Sequence, residues 1–450
     1  MKLLMIAASL FATLAMAGEN DRLHTLKSFS VTGGKAVFAD FSEATYQINY
    51  DLTQKKATVK AEIKLDTAEA GFPIFDSVVA PTSVIFDGVS VSAVETKTPN
   101  GETTLRFVNK LAPAGSHTLT VEVPLTSLVE FSDAGVKSAF WTSDLDEREF
   151  LERYMPANFE FDQVKMNFIV KYIGAKSKHV IYTNGVVTEV EDNTYKISYP
   201  SYYTASSIFF HTVPQGATTE QRFTLKSIDG RDIPAVVYFS KTSWTASLDR
   251  LVTKTTAVFH ELESDYGPFP HPSITVMQAG SGGMEYCGAT MTDFSALGHE
   301  LFHSYFARGV MPANGNAGWV DEALASWRDD GYQTLSTLSG STGMSSHDYY
   351  TRTTDTAAYS FGERFMSFLD GKFQSKGGLK PFMRYMVDKK VFSPFFVEEF
   401  IKEMSNFYGV SVEADFKQYT FGEGNNYSSQ LKAKSLIHRK MSIQEMQNYL

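Results

Sequence analysis

The hydrophobic period of this chain changes near residue 215, and that change limits the folds that the chain can adopt. Before it, short segments alternate apolar and polar residues, separated by turn sequences such as PNG at 99–101 and TNG at 183–185. Alternation with a period of two is typical of strands that bury one face. After it, apolar residues recur at helical spacing. The sequence therefore predicts an α+β protein of more than one domain, with an N-terminal antiparallel β-sandwich or saddle followed by a mostly α domain.

Seven segments carry the strand prediction: ATYQINYDL, KATVKAEIKL, TTLRFVNKL, HTLTVEVPL, KMNFIVKYI, KHVIYTNG and TYKISYP. The second part opens with FTLKSIDGRDIPAVVYFS, which predicts two strands around a turn. The next segment, SLDRLVTKTTAVFHELESDYG, has a helical period and ends at Gly267 before Pro268, a helix stop signal. We expect a β domain over 18–215, a second domain over 216–424 and a C-terminal tail over 425–450.

The first 17 residues predict an export signal that belongs to neither domain. Lys2 precedes the apolar run LLMIAASLFATLAMA, and Ala15 and Ala17 provide small residues for cleavage before Gly18. The run is too short to span a bilayer, and no other segment approaches the roughly 20 apolar residues that a spanning helix needs. We therefore expect an exported protein, periplasmic or extracellular, without a membrane span.

The cysteine count and the net charge limit how the fold can be stabilised and which partners the protein can bind. The single cysteine, Cys287, cannot form an internal disulfide, so stability must come from packing. The formal net charge of −10 argues against nucleic acid or an anionic membrane as a partner. The sequence does not predict an oligomeric state.

Two histidines four residues apart, His299 and His303, stand in the run ALGHELFHSYFARGV. In a helix, residues four apart share a face, so both imidazoles can reach one ion. A catalytic zinc site uses three protein ligands and leaves one position for water. Glu322, in GWVDEALASW, supplies a third ligand after residues 304–321, which are long enough for the rest of one helix, a loop and the start of a second helix beside it. This set predicts a catalytic site for one zinc ion.

A second histidine–glutamate pair, His260 and Glu261, does not repeat the pattern. Ser264 stands where the second histidine would have to be. We interpret this pair as a surface pair on a core helix. The zinc prediction therefore depends on His299, His303 and Glu322 alone.

These motifs together resemble the aminopeptidase N and leukotriene hydrolase family of zinc metallopeptidases. WVDEALA at 319–325 is similar to the family string Trp-Leu-Asn-Glu-Gly-Phe-Ala, and GGMEY at 282–286 is similar to its Gly-Ala-Met-Glu-Asn motif. The segments YGPFPHPSITVM and FVEEFIKEMSNFYGVSVEADFKQYTFGEG also resemble family segments. The likeness covers about residues 40–424.

The resemblance implies a thermolysin-like second domain and a zinc aminopeptidase that acts on the N-termini of peptides or proteins. Glu300 is expected to be the general base that takes a proton from the attacking water. Tyr359, in a string similar to the family's Tyr-x-Lys-Gly, is expected to stabilise the oxyanion, with Tyr349, Tyr350 and Tyr385 as alternatives. The expected substrate-binding residues are Gly282, Gly283, Met284 and Glu285, and Glu285 is expected to bind the substrate's α-ammonium group.

Several features depart from the family pattern. Phe361 replaces the lysine after the tyrosine, Cys287 stands where tryptophan is common, and Arg308 replaces an asparagine. Larger members continue with a helical domain that caps the cleft, so we expect here a short form with a more open cleft. Two alternatives stay open: an endopeptidase of the same type, in which Glu285 binds no amine, and a non-catalytic binding protein on the same scaffold.

Overall fold

The computed structural model describes residues 26–143, 149–158, 161–240, 247–313, 315–351, 353–422 and 440–450. The predicted export signal, residues 1–17, lies outside these ranges, as does most of the predicted tail. Among the helices of the described ranges, none combines the length and the apolar character needed to cross a membrane.

The N-terminal part consists of strands that bury alternate side chains. In the strand Ala39–Asp51, for example, Tyr46, Ile48 and Tyr50 are at most 1 % exposed, and their neighbours are half-buried. All seven segments predicted as strands form strands. In chain order the strands are β1 (Phe29–Val31), β2 (Gly34–Val37), β3 (Ala39–Asp51), β4 (Lys56–Thr67), β5 (Phe72–Phe75), β6 (Ser83–Phe86), β7 (Val89–Val91), β8 (Ala93–Lys97), β9 (Thr104–Val108), β10 (Gly115–Pro124), β11 (Val129–Ser132), β12 (Gly135–Ala139), β13 (Lys165–Ile173), β14 (His179–Thr183), β15 (Val186–Glu191), β16 (Thr194–Ser198) and β17 (Phe210–Pro214).

Within the described residues these strands form three sheets. The largest has the order β15-β16-β13-β3-β4-β10-β6-β7, and the others have the orders β1-β2-β5-β9-β8 and β11-β12-β17-β14. Strands β3 and β4 pair antiparallel from Ala39–Thr67 to Asp51–Lys56, whereas β13 runs parallel to β3. Most of the inward side chains of these sheets form one apolar core, which includes Tyr286 and Cys287 from the second part of the chain, and the sheet that begins with β1 adds a smaller cluster around Phe38, Ile74 and Phe107.

Among its described residues, the second part combines a five-stranded and a two-stranded sheet with helices around a second apolar core. Helix Leu248–Tyr266 ends at Gly267, whose φ of 101° suits glycine, so the predicted helix stop is confirmed. The strands are β18 (Thr218–Lys226), β19 (Asp232–Ser240), β20 (Ile274–Gln278), β21 (Gly283–Tyr286), β22 (Ala289–Thr292), β23 (Val310–Pro312) and β24 (Ser393–Phe395), and the helices are α1 (Leu248–Tyr266), α2 (Leu297–Phe302), α3 (Val320–Asp329), α4 (Phe361–Lys372), α5 (Lys380–Lys390), α6 (Val397–Tyr408), α7 (Glu413–Tyr419) and α8 (Ile443–Met446). The five-stranded sheet has the order β18-β19-β20-β22-β21, with β21 at its edge, and β23 pairs with β24.

The edge strand β21 is hydrogen-bonded to the N-terminal part. The N–H of Thr142 donates to the hydroxyl of Tyr286 at 3.1 Å. The side-chain amide of Asn184 donates to the carbonyl oxygens of Ser207 and Cys287 at 2.7 and 2.8 Å. Together, the two parts confirm the predicted α+β architecture, a β-rich domain followed by a helical one.

Candidate active site

Helix α2 begins at a turn held by Asp293. Its Oδ1 accepts the N–H groups of Ser295 and Ala296 at 2.6 and 3.0 Å, and its Oδ2 accepts the N–H of Gly282 at 2.8 Å. A carboxylate before a helix satisfies N–H groups that have no partner within the helix. The same carboxylate joins the start of α2 to the loop before β21, so the two elements that carry the motifs are fixed to each other.

Helix α2 is shorter than the sequence predicts. We expected it to continue past His303, but it ends at Phe302, with His303 at its C-cap. The chain then folds back, because the N–H of Arg308 donates to the carbonyl of His303 at 2.9 Å. Ala307 adopts a φ of 136°, which is rare for a residue with a side chain. This turn brings Arg308 to β21.

The imidazoles of His299 and His303 converge on one carboxylate. Nε2 of His299 lies 3.0 Å from Oε2 of Glu322, and Nε2 of His303 lies 3.5 Å from its Oε1. Helix α3 packs against α2 and supplies Glu322. The three side chains are at most 3 % exposed, and their ligand atoms lie within 4.8 Å of one another. The three predicted metal ligands are thus gathered into one buried cluster.

The outer nitrogen of each imidazole is held by an acceptor. Nδ1 of His299 lies 2.7 Å from Oδ2 of Asp329, and Nδ1 of His303 lies 3.0 Å from the carbonyl oxygen of Phe306. A proton held on Nδ1 leaves Nε2 as the lone-pair donor, which is the usual arrangement of metal-binding histidines. The cluster therefore fits a zinc ion by donor type, tautomer and burial.

Asp329 is not among the residues predicted from the sequence. It follows Glu322 by seven residues, or two helical turns, so both lie on the same face of α3. Asp329 could therefore have been predicted from its spacing to Glu322. Asp329 is also paired with Arg328, whose guanidinium contacts Glu261 at 2.9 Å. His260, the other member of the discarded pair, is exposed.

Within the cluster, the carboxylates and the cationic side chains each stabilise the ionised form of the other. Burial lowers the pKa of His303, but the carboxylates of Glu322 and Glu285 outweigh burial and raise it to about 9. Burial raises the pKa of Glu322, but His303 and Lys440 outweigh burial and hold it well below its usual range. A divalent cation bound here would replace protons on the imidazoles.

Glu300 lies between this cluster and β21. A Cβ atom at Gly283 would lie 2.2 Å from Oε1 of Glu300, so the carboxylate can approach the strand only because residue 283 is glycine. Glu300 is 2 % exposed, and its Oε2 has no hydrogen-bond partner among the described residues. Burial raises the pKa of Glu300 to about 8, although His299 and His303 act against the rise. A carboxyl group in these surroundings can gain or lose a proton near neutral pH.

Glu285 lies on β21 and is already paired with two cations. Its Oε1 lies 2.9 Å from Nη2 of Arg308 and 3.4 Å from Nζ of Lys440. Burial raises the pKa of Glu285, but Lys440 and Arg308 outweigh burial and lower it to about 2. The ligand atoms of Glu285, Glu300 and His303 also lie within 4.8 Å of one another. Glu285 is therefore an ionised carboxylate beside the predicted base.

Lys440 is a second residue of the site that was not predicted from the sequence. It is 2 % exposed, and its Nζ lies 3.2 Å from Oε1 of Glu322. Residues 440–450 belong to the predicted C-terminal tail, and no periodicity or motif in them indicates a contact with residues more than a hundred positions earlier.

The remaining predicted residues lie on β21, just before it, and on a turn that packs against α3. Met284 is fully buried on β21, and Gly282 precedes that strand with a φ of 68°. Tyr359 ends the 3-10 turn Thr356–Tyr359, which packs against α3, and its hydroxyl is buried. Of the alternatives, Tyr350 and Tyr385 donate their hydroxyls elsewhere, to the carbonyl of Lys27 and to Glu403, and Tyr349 packs against Phe396.

The fold is that of the M1 zinc metallopeptidases in their two-domain form. A metallopeptidase of this kind from Deinococcus radiodurans superposes with a TM-score of 0.61 at 13 % identity, over 84 % of this chain and 92 % of that chain. Leukotriene A4 hydrolase from Saccharomyces cerevisiae gives 0.62 at 13 % identity, over 91 % and 70 %. Aminopeptidase A from Legionella pneumophila gives 0.63 at 13 % identity, over 88 % and 51 %.

At these identities the likeness establishes the fold alone. The resemblance predicted from the motifs is confirmed at that level. Comparison with protein-family models finds no match, and comparison with curated proteins finds none either.

Proposed function

We propose that this protein is a zinc-dependent aminopeptidase that hydrolyses the N-terminal bond of peptides or proteins. The observation that carries the proposal is the buried cluster of His299, His303 and Glu322, whose ligand atoms lie within 4.8 Å of one another. The fold of the protein also supports the proposal. Solved structures of similar fold include an M1 metallopeptidase bound to a Tyr-Ser-Ala substrate and an aminopeptidase in complex with aspartic acid.

In the proposed site each residue has one task. His299, His303 and Glu322 would hold a zinc ion, which would supply Lewis-acid polarisation of the scissile carbonyl and lower the pKa of a water molecule. Glu300 accepts the proton of the attacking water and later donates it to the leaving amine, a role supported by its burial and its raised pKa. The Tyr359 hydroxyl donates to the developing oxyanion.

Glu285 determines where the peptide is cut. Its buried carboxylate binds the substrate's α-ammonium group, which places the scissile bond one residue from the end of the peptide. The contact between Nζ of Lys440 and Oε1 of Glu285, at 3.4 Å, supports this role because it is an ammonium–carboxylate pair of the same kind.

One contact favours a second candidate function. Arg308 lies 2.9 Å from Glu285 and already compensates its charge. A compensated carboxylate attracts a substrate ammonium less strongly, and such a site would also accept internal peptide segments. The alternative is therefore an endopeptidase that uses the same zinc site and the same base.

We also propose export of the protein through residues 1–17, and the domain limits predicted from the sequence. The run of apolar residues after Lys2 supports export. N-terminal sequencing of the protein secreted from its host tests this proposal. A mature N-terminus at Gly18 is the expected result, and retention of residues 1–17 would contradict it.

The decisive assay compares matched peptides with free and N-acetylated N-termini, with and without a chelator. The aminopeptidase proposal predicts turnover of the free peptide alone, lost with the chelator and restored by zinc. Glu285→Gln should raise KM for the free peptide by roughly tenfold or more, since hydrogen bonds to charged groups contribute about 1.5–3 kcal/mol. Equal rates on both peptides would favour the endopeptidase, and turnover that the chelator leaves unchanged would exclude both enzymes.

A further inference from the structure

Residues 440–450, which we call the cleft segment, contact the edge strand β21 at Gly283 through Lys440 and Met441. Lys440 pairs with Gly283 in a parallel bridge, and the N–H of Met441 donates to the carbonyl of Gly283 at 3.0 Å. The side chains of Met441, Ile443 and Met446 are at most 3 % exposed and belong to the apolar core of the β domain. The cleft segment is therefore held by backbone pairing and by apolar burial.

The side chain of Lys440 enters the cluster of carboxylates. Its Nζ lies 3.4 Å from Oε1 of Glu285 and 3.2 Å from Oε1 of Glu322. Burying an ammonium group costs free energy unless carboxylates compensate its charge. Lys440 thus contacts both the proposed α-ammonium ligand and a proposed metal ligand.

The edge of a sheet is a position where peptides bind by adding a strand. Strand β21 is such an edge, and the cleft segment uses its Gly283 carbonyl. A peptide whose ammonium group is bound by Glu285 would need the position that Lys440 occupies. The cleft segment and such a peptide therefore compete for the same carboxylate.

We propose that the cleft segment is an internal occupant of the substrate cleft, with the Lys440 ammonium in the position of the substrate's α-ammonium group, and that substrate and zinc must displace Lys440. The inference rests on the proposed function, because that function assigns Glu285 and Glu322 their roles. The inference adds regulation of that activity, because the protein with Lys440 in the cleft is a self-inhibited form.

Zinc and Lys440 oppose each other through Glu322. A divalent cation on the carboxylate that Lys440 contacts at 3.2 Å would repel the ammonium group. Coupling between two binding events is reciprocal. Docked Lys440 weakens zinc binding, and bound zinc weakens the docking of Lys440 by the same factor. Both directions of this coupling can be measured without an activity assay.

The test uses the purified protein and two single variants. Lys440→Met removes the ammonium and keeps a long side chain, and Gln444→Ala changes an exposed residue of the same segment as the matched control. Zinc affinity is measured by competition with a chromophoric chelator. We expect Lys440→Met to bind zinc about tenfold more tightly, within the usual range of coupling between two ligands, and Gln444→Ala to match the unaltered protein.

Hydrogen exchange supplies a readout that needs no substitution. Zinc should speed exchange of the amides of residues 441–446 in the unaltered protein, because the Met441 hydrogen bond opens when Lys440 leaves. Unchanged or weaker zinc affinity in Lys440→Met would overturn the inference, and so would unchanged exchange on zinc binding.

Kinetics separate this inference from the proposed function. If both hold, Lys440→Met lowers KM for the free peptide relative to the unaltered protein, since an internal competitor is lost. If the zinc affinity and the exchange rates change as expected but no sample hydrolyses peptide, the proposed function fails and occupancy of the cleft by Lys440 stands. Lower kcat in Lys440→Met with zinc bound would instead make Lys440 part of the machinery and overturn the inference.

Discussion

Oδ2 of Asp329 lies 2.7 Å from Nδ1 of His299, while the other nitrogen of the same ring lies 3.0 Å from Glu322. The imidazole is thus held between two carboxylates that come from one helix, two turns apart. One carboxylate fixes the orientation and tautomer of the ring, and the other shares the proposed metal with it.

Asp329→Asn should weaken zinc binding by about 10–100-fold, the usual effect of losing a partner behind a metal-binding histidine. The amide can still contact the ring, but it lacks the charge that favours a proton on Nδ1. The zinc dissociation constant measures the effect. Asp330→Asn, at the exposed neighbouring position, is the control and should leave the constant unchanged. Equal affinities in both variants would show that Asp329 does not support the site.

Glu300→Gln should lower kcat by about 10²–10⁴-fold while zinc stays bound, because the amide keeps the shape of the side chain but cannot accept a proton. Zinc content and kcat are measured on the same sample. As the control, Glu322→Gln should lose zinc and activity together. A Glu300→Gln variant that keeps more than a tenth of kcat would exclude Glu300 as the base.

Arg308→Met should lower the free energy of unfolding by about 3 kcal/mol, because it removes a buried partner of Glu285. Adding Glu285→Gln should recover part of the loss, since residue 285 then carries no negative charge that has lost its Arg308 partner. Chemical denaturation of the two single variants and of the double variant measures this coupling. The exposed pair of Arg222 and Glu220 offers a comparison, where Arg222→Met should cost less than about 1 kcal/mol.

Three buried histidines should make the protein sensitive to acid. Burial lowers the pKa of His179 to about 4, and those of His211 and His271 to about 3. In the unfolded chain they titrate near about pH 6.5, so between these values the unfolded state binds more protons. The contribution of these three histidines to the free energy of unfolding is therefore largest above about pH 6.5 and falls as the pH falls towards about 3.

His179→Gln tests this pH dependence at one site. Nε2 of His179 accepts the N–H of Val136 at 3.0 Å, and an amide oxygen can accept it without titrating. Between pH 6 and 4.5 the variant should lose stability less steeply, by up to about 1.4 kcal/mol per pH unit. Urea denaturation at several pH values measures the slope. His260→Gln, at an exposed position, should keep the slope of the unaltered protein, and equal slopes in all three proteins would contradict the prediction.

Local patterns in the sequence predicted most of the fold. The strand Ala39–Asp51 alternates throughout, and helix α1 ends at a glycine before a proline, so short-range rules suffice for both. His299 and His303 could be paired because helical spacing brings both imidazoles to one face. Glu322 followed from the number of ligands that a catalytic zinc ion needs.

Other contacts of the site depend on the path of the chain. Helix α2 ends early because Arg308 turns back to His303, and a helical period gives no sign of that turn. The pairing of Arg308 with Glu285 follows from this turn. Lys440 reaches the site through one bridge to Gly283, and a single long-range contact leaves no periodic pattern in the sequence.

Strand β21 and the residue after it are hydrogen-bonded both to the N-terminal β domain and to β22 of the second domain. Asn184 and Thr142 of the β domain fix Cys287 and Tyr286, while the two histidines stand on a helix of the other domain. The position of Glu285, the proposed ligand of a peptide's α-ammonium group, relative to the proposed metal ligands thus depends on contacts between the two domains. If the proposed function holds, we expect substitutions at these interdomain contacts to change cleavage preference while the proposed catalytic residues stay the same.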